Sequence, residues 1–293
     1  MPEVVHCLDS IQKWTHDVRY EIIVVDNNST DRSFEGLAEK YPEVRFKLLT
    51  SNNGFGAGSN IGFALSRGRF VCFLNPDTVF VENSLPNGVE FLQNHDKVGI
   101  LSFKMVDQES RPQFGFGMLP GVWNEILYTT GLEMPVRRKV QHSRFGLHLA
   151  EGKPFRVDWV AGACMLVRRS MLEQVGGFDE RFFLFHEDID LCARCGESGW
   201  ETYYLPTTSV VHSAGHSTRR NLRLLITSRY HSKLLYARKH LSPFSREFVR
   251  VLSVMGLLGR LLISLVHQFG SDAERIGRRN GYWDSLILCL KNG

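Results

Sequence analysis

Residues 69–78 read RFVCFLNPDT, and the reading of this stretch decides the fold. Phe70 to Leu74 is a short apolar run closed by a turn, which predicts a buried strand. Pro76 cannot continue a central strand, so Asp77 falls at the strand's C-terminal edge. Open α/β sheets bind their ligands off that edge. A carboxylate there suits a divalent cation held against a phosphate, and it suits a plain turn as well. On this stretch alone both readings of Asp77 stand.

Working outward, the same pattern recurs. Val4, Val5, Leu8, Ile11 and Trp14 have helical spacing, so the chain opens on an amphipathic helix. Glu21 to Val25 is a β-branched run of the kind found in buried parallel strands, and it ends at Asp26. Ser33 to Lys40 is expected to be helical, Arg45 to Leu49 a strand, SNNGFGAGSN a loop, and Asn60 to Ser66 a helix. Alternating strands and helices predict a doubly wound, mostly parallel sheet. Further on, Leu85 to Asn94 reads as helix and Val98 to Val106 as strand. Gln108 to Pro154, punctuated by Gly and Pro and carrying Arg137-Arg138-Lys139, reads as a long loop insertion. Val157 to Val167 is apolar again. Ser170 to Val175 and Glu187 to Ser198 read as helices, and Thr202 to Leu205 as a strand.

From Leu222 onward the pattern is helical. Ser217 to Arg260 carries ten Lys or Arg and one acid, Glu247, a local charge of +9 within a chain of net +4. An anionic surface as partner and a solvated helical face both fit that charge. Val251 to Val266 is mostly apolar but holds Arg260, and its sixteen residues fall short of the ~20 that a membrane span needs. An interfacial amphipathic helix and a core-packing helix pair are the two readings left. The chain contains no nucleic-acid reader motif, so nucleic acid is not expected as a partner.

Of the six cysteines only Cys192 and Cys195 form a C-x-x-C pair, and no second pair or His cluster is spaced to complete a zinc site, so neither zinc nor redox use is expected. Unpaired cysteines suit a reducing compartment, and the opening MPEVVHCLDS is not a secretory signal. The glycine loop fails the dinucleotide fingerprint: after Gly56 and Gly58 the third glycine should stand at 61, where Ile61 stands. Three carboxylate stations remain at strand ends or helix starts: Asp26, Asp77, and the group Glu187, Asp188 and Asp190. The last group is also well placed to complement a helix dipole.

Six segments occur in order: VVDNNSTD (24–31), NNGFGAGSNIG (52–62), FLNPDT (73–78), VAGACMLVRR (160–169), GGFDERFFLFHEDIDLCAR (176–194) and VVHSAGHS (210–217). Together they resemble the inverting nucleotide-sugar glycosyltransferases of family 2, over about residues 1–240. Within that family the likeness is to the rhamnosyltransferase-like branch that builds bacterial surface polysaccharides. The resemblance implies a GT-A catalytic domain over 1–240, and the remaining 241–293 reads from its own pattern as an amphipathic helical region able to associate with a membrane. It implies that Asp26, Asn28, Asp31, Asn52, Asn60, Asn75 and Asp77 face the donor. Asp77 and His212 would meet Mg²⁺ or Mn²⁺. Asp188 would be the catalytic base, with Glu187 beside it as a possible substitute, and Trp159 and Gly162 would lie where acceptor and sugar meet. Asn75 stands where the family's D-x-D motif has its first acid, which leaves fewer anionic ligands for the cation.

The implied donor is dTDP-rhamnose or a UDP-sugar. The implied acceptor is a lipid-linked or polysaccharide glycan at the cytoplasmic, inner face of the cell membrane, with the protein peripheral on an anionic surface. The alternative is a catalytically impaired nucleotide-sugar-binding module of the same fold. The family normally opens on a strand that lies inside the sheet. This chain opens on the helix that follows, so a gap in the sheet and a weakened donor pocket are expected.

Overall fold

The computed structural model describes residues 2–30, 36–113, 115–132, 139, 144–213, 221–266 and 271–291. The chain divides into two compact units. The first comprises 1–119, 145–181 and 187–214; the second comprises 120–144, 182–186 and 215–293. The division therefore does not fall at residue 240, and part of the expected loop insertion belongs to the second unit.

The first unit opens on α1 (Pro2–Trp14), whose apolar side packs Cys7 and Ile11 into one core and Leu8 into another. β1 (Ile23–Asp26) pairs in parallel with β2 (Arg45–Leu48), and α2 (Leu37–Lys40) lies between them in sequence. A separate mixed sheet holds β3 (Phe70–Leu74), β9 (Cys164–Arg168), β5 (Val98–Val106), β10 (Glu201–His212) and β4 (Thr78–Phe80), in that order, with β7 (Phe155–Val157) also on β10. β3, β5 and β10 share a direction, and β9 runs against its neighbours β3 and β5. Among the described residues no ladder joins β1 to β3. β5 lies in the middle and is buried along almost its whole length, the pattern of a strand covered on both faces.

α3 (Phe55–Leu65) corrects the loop expected at SNNGFGAGSN, because Gly56, Gly58 and Gly62 lie inside the helix. At Gly56 the lack of a side chain is used for packing. A Cβ at Gly56 would stand 3.1 Å from Phe178 Cβ, and one at Gly62 would stand 3.4 Å from Val25 Cγ2. At Gly56 the close approach to Phe178 outweighs the helix cost of glycine, about 1 kcal/mol, while Gly62 stands at an ordinary contact distance. α4 (Ser84–Asn94) packs on β5 in the same way, with Gly88 under Phe103.

β10 is also longer than expected, running past Leu205 to His212. Pro206 has no N–H to give the ladder, and the register shifts between Leu205 and Ser209. Beyond the irregularity the strand resumes and pairs His212 with Thr78 of β4. The stretch expected to be a loop contains β6 (Phe116–Gly117), α5 (Val122–Thr130) and a short helix, α6, over residues 144–151. β6 pairs with β8 (Trp159–Val160). α7 (Arg169–Val175) and α8 (Glu187–Glu197) complete this unit. Cys192 and Cys195 of α8 are packing residues, and burial pushes the Cys195 thiol up to about 11.

The second unit is helical: α5 with α9 (Leu222–His240), α10 (Pro243–Val266) and α11 (Asp272–Lys291). Tyr230, Leu257, Leu286 and Cys289 form its core. A buried polar group sits beside it. Glu125 Oε1 accepts from Lys233 Nζ at 2.8 Å and from Ser253 Oγ at 2.9 Å. Arg137 and Arg138 of the expected basic run lie outside the described residues.

Candidate active site

The end of β3 delivers Asn75, Pro76 and Asp77 as a tight turn into β4. Thr78 N–H donates to Asn75 O at 3.1 Å. The turn is fastened to Ala163, whose carbonyl accepts from Asn75 N at 3.0 Å and from Thr78 Oγ1 at 3.1 Å. The end of β10 then brings in His212. Its Nε2 lies 3.4 Å from Asp77 Oδ1, and Ser213 N–H donates to Asp77 O at 3.0 Å.

Gln113 orients this histidine. Its side-chain nitrogen donates to His212 O at 2.7 Å, and its Oε1 lies 3.0 Å from His212 Nδ1. Gln113 thereby fixes the orientation of the imidazole ring, whose other nitrogen faces Asp77. Carboxylate oxygen and imidazole nitrogen together suit Mn²⁺ or Mg²⁺ when a diphosphate supplies further oxygens. Among the described residues no group of three or more His, Cys, Asp or Glu could hold a metal. The donor set thus fits a cation shared with a phosphorylated ligand and does not fit a closed protein cage.

The acidic station opens α8. Gly162 N–H donates to Asp188 Oδ2 at 2.9 Å, and Ile189 N–H donates to Asp188 Oδ1 at 2.8 Å. Glu187 is also buried, and its Oε2 has no hydrogen-bond partner. Burial, then the charge of Asp188, pushes the Glu187 carboxyl up to about 8. Burial raises Asp188 too, but its amide donors act the other way. Of the pair, Asp188 has the amide donors that favour a charged carboxylate, while Glu187 Oε2 has no partner. Asp190 has a different task. It pairs with Arg194 at 2.8 Å, and Arg194 also bonds the carbonyls of Val175 and Gly177, which ties α8 to the preceding loop.

The two stations meet in one short segment. Gly162 holds Asp188, and the next residue, Ala163, holds the Asn75–Thr78 turn. A Cβ at Gly162 would stand 3.4 Å from Phe55 Cε1 and 3.5 Å from Asp188 Cβ, ordinary contact distances.

The third station sits at the end of β1. Both Asp26 carboxylate oxygens accept from Ser29 N–H, at 3.0 and 3.3 Å, shaping the turn. Asn28 has φ +63°, a left-handed conformation that Asn tolerates. Asn52 Oδ1 accepts from Gly54 N–H. Asn27, which the sequence did not single out, links these loops by donating to Gly54 O at 2.7 Å and accepting from Asn53 N–H at 3.3 Å. Asp31 lies outside the described residues.

Asn60 is brought elsewhere. Its amide donates to Phe178 O and Glu180 Oε1 and accepts from Phe178 N–H, all at 2.9 Å, so it clamps the 176–180 loop. Trp159 donates from its indole to Met118 O at 2.9 Å. Gln113 is the other residue that sequence reading missed. It lies 99 residues from His212 in a stretch without periodicity, and nothing in the sequence announced it.

The glycosyl transferase family 2 profile matches residues 2–176, more than half of the chain. The N-acetylglucosaminyl-diphospho-decaprenol L-rhamnosyltransferase of Mycobacterium tuberculosis is 29% identical over 212 residues, which cover 68% of this chain and 68% of that protein. The rhamnosyltransferase WbbL of Escherichia coli is 26% identical over 249 residues, covering 81% of this chain and 89% of its own. Among solved structures, the mannosyltransferase PcManGT of Pyrobaculum calidifontis, in complex with GDP-Man and Mn²⁺, superposes with a TM-score of 0.56 at 16% identity, covering 99% of this chain and 84% of that one. The profile match spans α1 to α7, a stretch that carries Asp26, Asp77 and Gly162, and on it the chain belongs to glycosyl transferase family 2.

Proposed function

We propose that this glycosyltransferase moves rhamnose, from dTDP-rhamnose, onto a lipid-linked or polysaccharide acceptor by a single inverting displacement. A UDP-hexose is the next donor in line. The rhamnosyltransferase relatives support the sugar, and the lipid-diphosphate in the name of the mycobacterial relative supports a lipid-linked acceptor at the cytoplasmic membrane face. The observation that carries the mechanism is the pair of adjacent anchors, Gly162 on Asp188 and Ala163 on the Asp77 turn.

Glycosyl transfer builds positive charge on the sugar and negative charge on the departing diphosphate. A bound Mg²⁺ or Mn²⁺ supplies Lewis-acid neutralisation of that diphosphate, and Asp77 with His212 would hold it. Asp26 and its turn would meet the nucleotide's ribose or base. The acceptor hydroxyl must lose its proton as it attacks. Asp188, fixed by two backbone amides that favour its charged form, is the group that takes it. Inversion follows from a base that works on the face opposite the leaving group.

The test is nucleotide-sugar turnover with Mn²⁺ or Mg²⁺ across a panel of dTDP- and UDP-sugars. Release of dTDP dependent on acceptor, abolished by chelator, is the expected result. Equal turnover in excess chelator would remove the cation from the mechanism.

A further inference from the structure

α10 is apolar on two sides: Val249 and Leu257 are buried, and a second apolar stripe faces outward. Phe248, Val251, Met255, Leu258, Leu262 and Leu265 follow one another at intervals of three and four and form one stripe along the helix. All are between 39% and 65% exposed. The polar groups of the same segment point the other way. Ser253 is buried and donates to Glu125, and Arg260 donates to Tyr128 O at 3.1 Å. A helix at the surface of a water-soluble fold turns its charges outward and its large apolar residues inward. Here the arginine and serine are satisfied inside the helical unit, the arrangement seen where the outer solvent is lipid.

The stripe's three–four spacing is also that of a coiled-coil seam, so a second copy of the chain has to be weighed. Coiled-coil seams select their partner through charged flanking positions. Beyond Val251 the flanks are Leu252 and Gly259 on one side and Val254 and Leu261 on the other, with no charge to set a register. A bilayer needs none.

The charge that is present favours an anionic surface. Residues 221–291 hold twelve Lys or Arg against four Asp or Glu. On α11, exposed Arg279 stands one turn from exposed Ile276 and one turn from exposed Trp283. Apolar side chains next to arginine and tryptophan are the composition of a helix lying at a lipid headgroup boundary. α10 is long and apolar enough to cross a membrane, but its inner side packs against α5, α9 and α11, so it lies in the surface plane.

We infer that the outward stripe of α10, with the Ile276–Arg279–Trp283 face of α11, docks the protein flat on an anionic bilayer. This deepens the proposed action at a membrane face by naming the surface that reaches it. It is read without donor or acceptor, so its failure leaves the transfer reaction standing, and absence of transfer leaves it standing.

The experiment is flotation of the full chain with phosphatidylcholine vesicles, with and without phosphatidylglycerol. Wild type should float with the anionic vesicles. Met255→Gln, Leu258→Gln and Leu262→Gln together keep good helix formers and touch only exposed positions, and should lower the partition coefficient about tenfold or more with helix content unchanged. If the triple variant does not fold, Leu262→Gln alone should still weaken flotation. Arg279→Gln should narrow the preference for anionic over neutral vesicles. Wild type that stays unbound, or variants that float as wild type does, would overturn the inference. A wild-type dimer dissolved by the triple variant, with no flotation, would overturn it in favour of a second copy.

Discussion

Gly162 donates its amide hydrogen to Asp188 Oδ2 across 2.9 Å, joining the 160–164 segment to the start of α8. That bond does two things. It fixes the carboxylate's direction, and it stabilises the charged form that a base requires. Asp188→Asn keeps the shape and removes the basicity, so transfer should fall about 10²–10⁴-fold. Glu187→Gln copies the protonated state that burial imposes on Glu187, so it should retain most of the wild-type rate. Steady-state rates of the two variants with the same donor and acceptor check the assignment. The reverse ranking would transfer the role of base to Glu187.

The same pair makes stability depend on pH. The Glu187 carboxyl is raised from 4.5 to about 8 in the folded protein. Between those values the folded chain keeps a proton that the unfolded chain has released, so unfolding free energy falls as pH rises through the window and stays low above it. The urea midpoint should therefore drop between pH ~5 and pH ~8.5, and drop less in Glu187→Gln. A drop of equal size in the variant would show that another group carries the effect.

At the other station Asp77 and His212 face each other at 3.4 Å. Removing one electrostatic stabiliser of a leaving group costs about 10²–10³ in rate. Asp77→Asn and His212→Ala should each fall in that range and raise the Mn²⁺ concentration needed for half-maximal activity. Titration with Mn²⁺ at saturating donor is the measurement, and an unchanged half-maximal concentration would argue against both as ligands.

Gln113 acts through His212, which it holds by ring and by backbone. Loss of such a supporting contact lowers metal affinity about 10–100-fold. Gln113→Ala should therefore shift the Mn²⁺ requirement while leaving the rate at saturating Mn²⁺ close to wild type. A variant equally slow at every Mn²⁺ concentration would mean a purely structural role.

Asn60 should behave as a clamp. Asn60→Ala leaves the Phe178 backbone groups without their partner, at a cost of about 1–3 kcal/mol in stability. Gly177 has φ +72°, and a Cβ there would stand 2.7 Å from Asn60 Oδ1, so Gly177→Ala should be tolerated no better. Equilibrium unfolding in urea checks both. Asn60→Ala with full stability but a raised KM for donor would return Asn60 to the donor pocket.

How much of this was legible beforehand varies from residue to residue. The Phe70–Leu74 strand and the turn at Asp77 were readable because proline and a short apolar run are local signals. The opening helix and Val98–Val106 were readable from periodicity. The helix containing Gly56, Gly58 and Gly62 was not, because Gly56 serves packing against Phe178, and tertiary contact overrode propensity. β10 hid its second half behind Pro206, a residue that reads as a strand end and here marks an irregularity. Asp77 and Asp188 could be singled out from the sequence, but the bond that links Asp188 to Gly162 and the one that steadies His212 through Gln113 join residues 26 and 99 positions apart. Only the fold brings such residues together. The outward apolar stripe of α10 was half visible as an apolar run, and which side packs inward emerged from Leu257, Ser253 and Arg260.

The most direct test is acceptor-dependent release of dTDP from dTDP-rhamnose in the presence of Mn²⁺, with the anomeric configuration of the product read by NMR, for wild type and Asp188→Asn side by side. Inverted product from wild type, with loss of about 10²-fold or more in the variant, is the predicted result. A retained anomeric configuration, or an Asp188→Asn enzyme as fast as wild type, would contradict it.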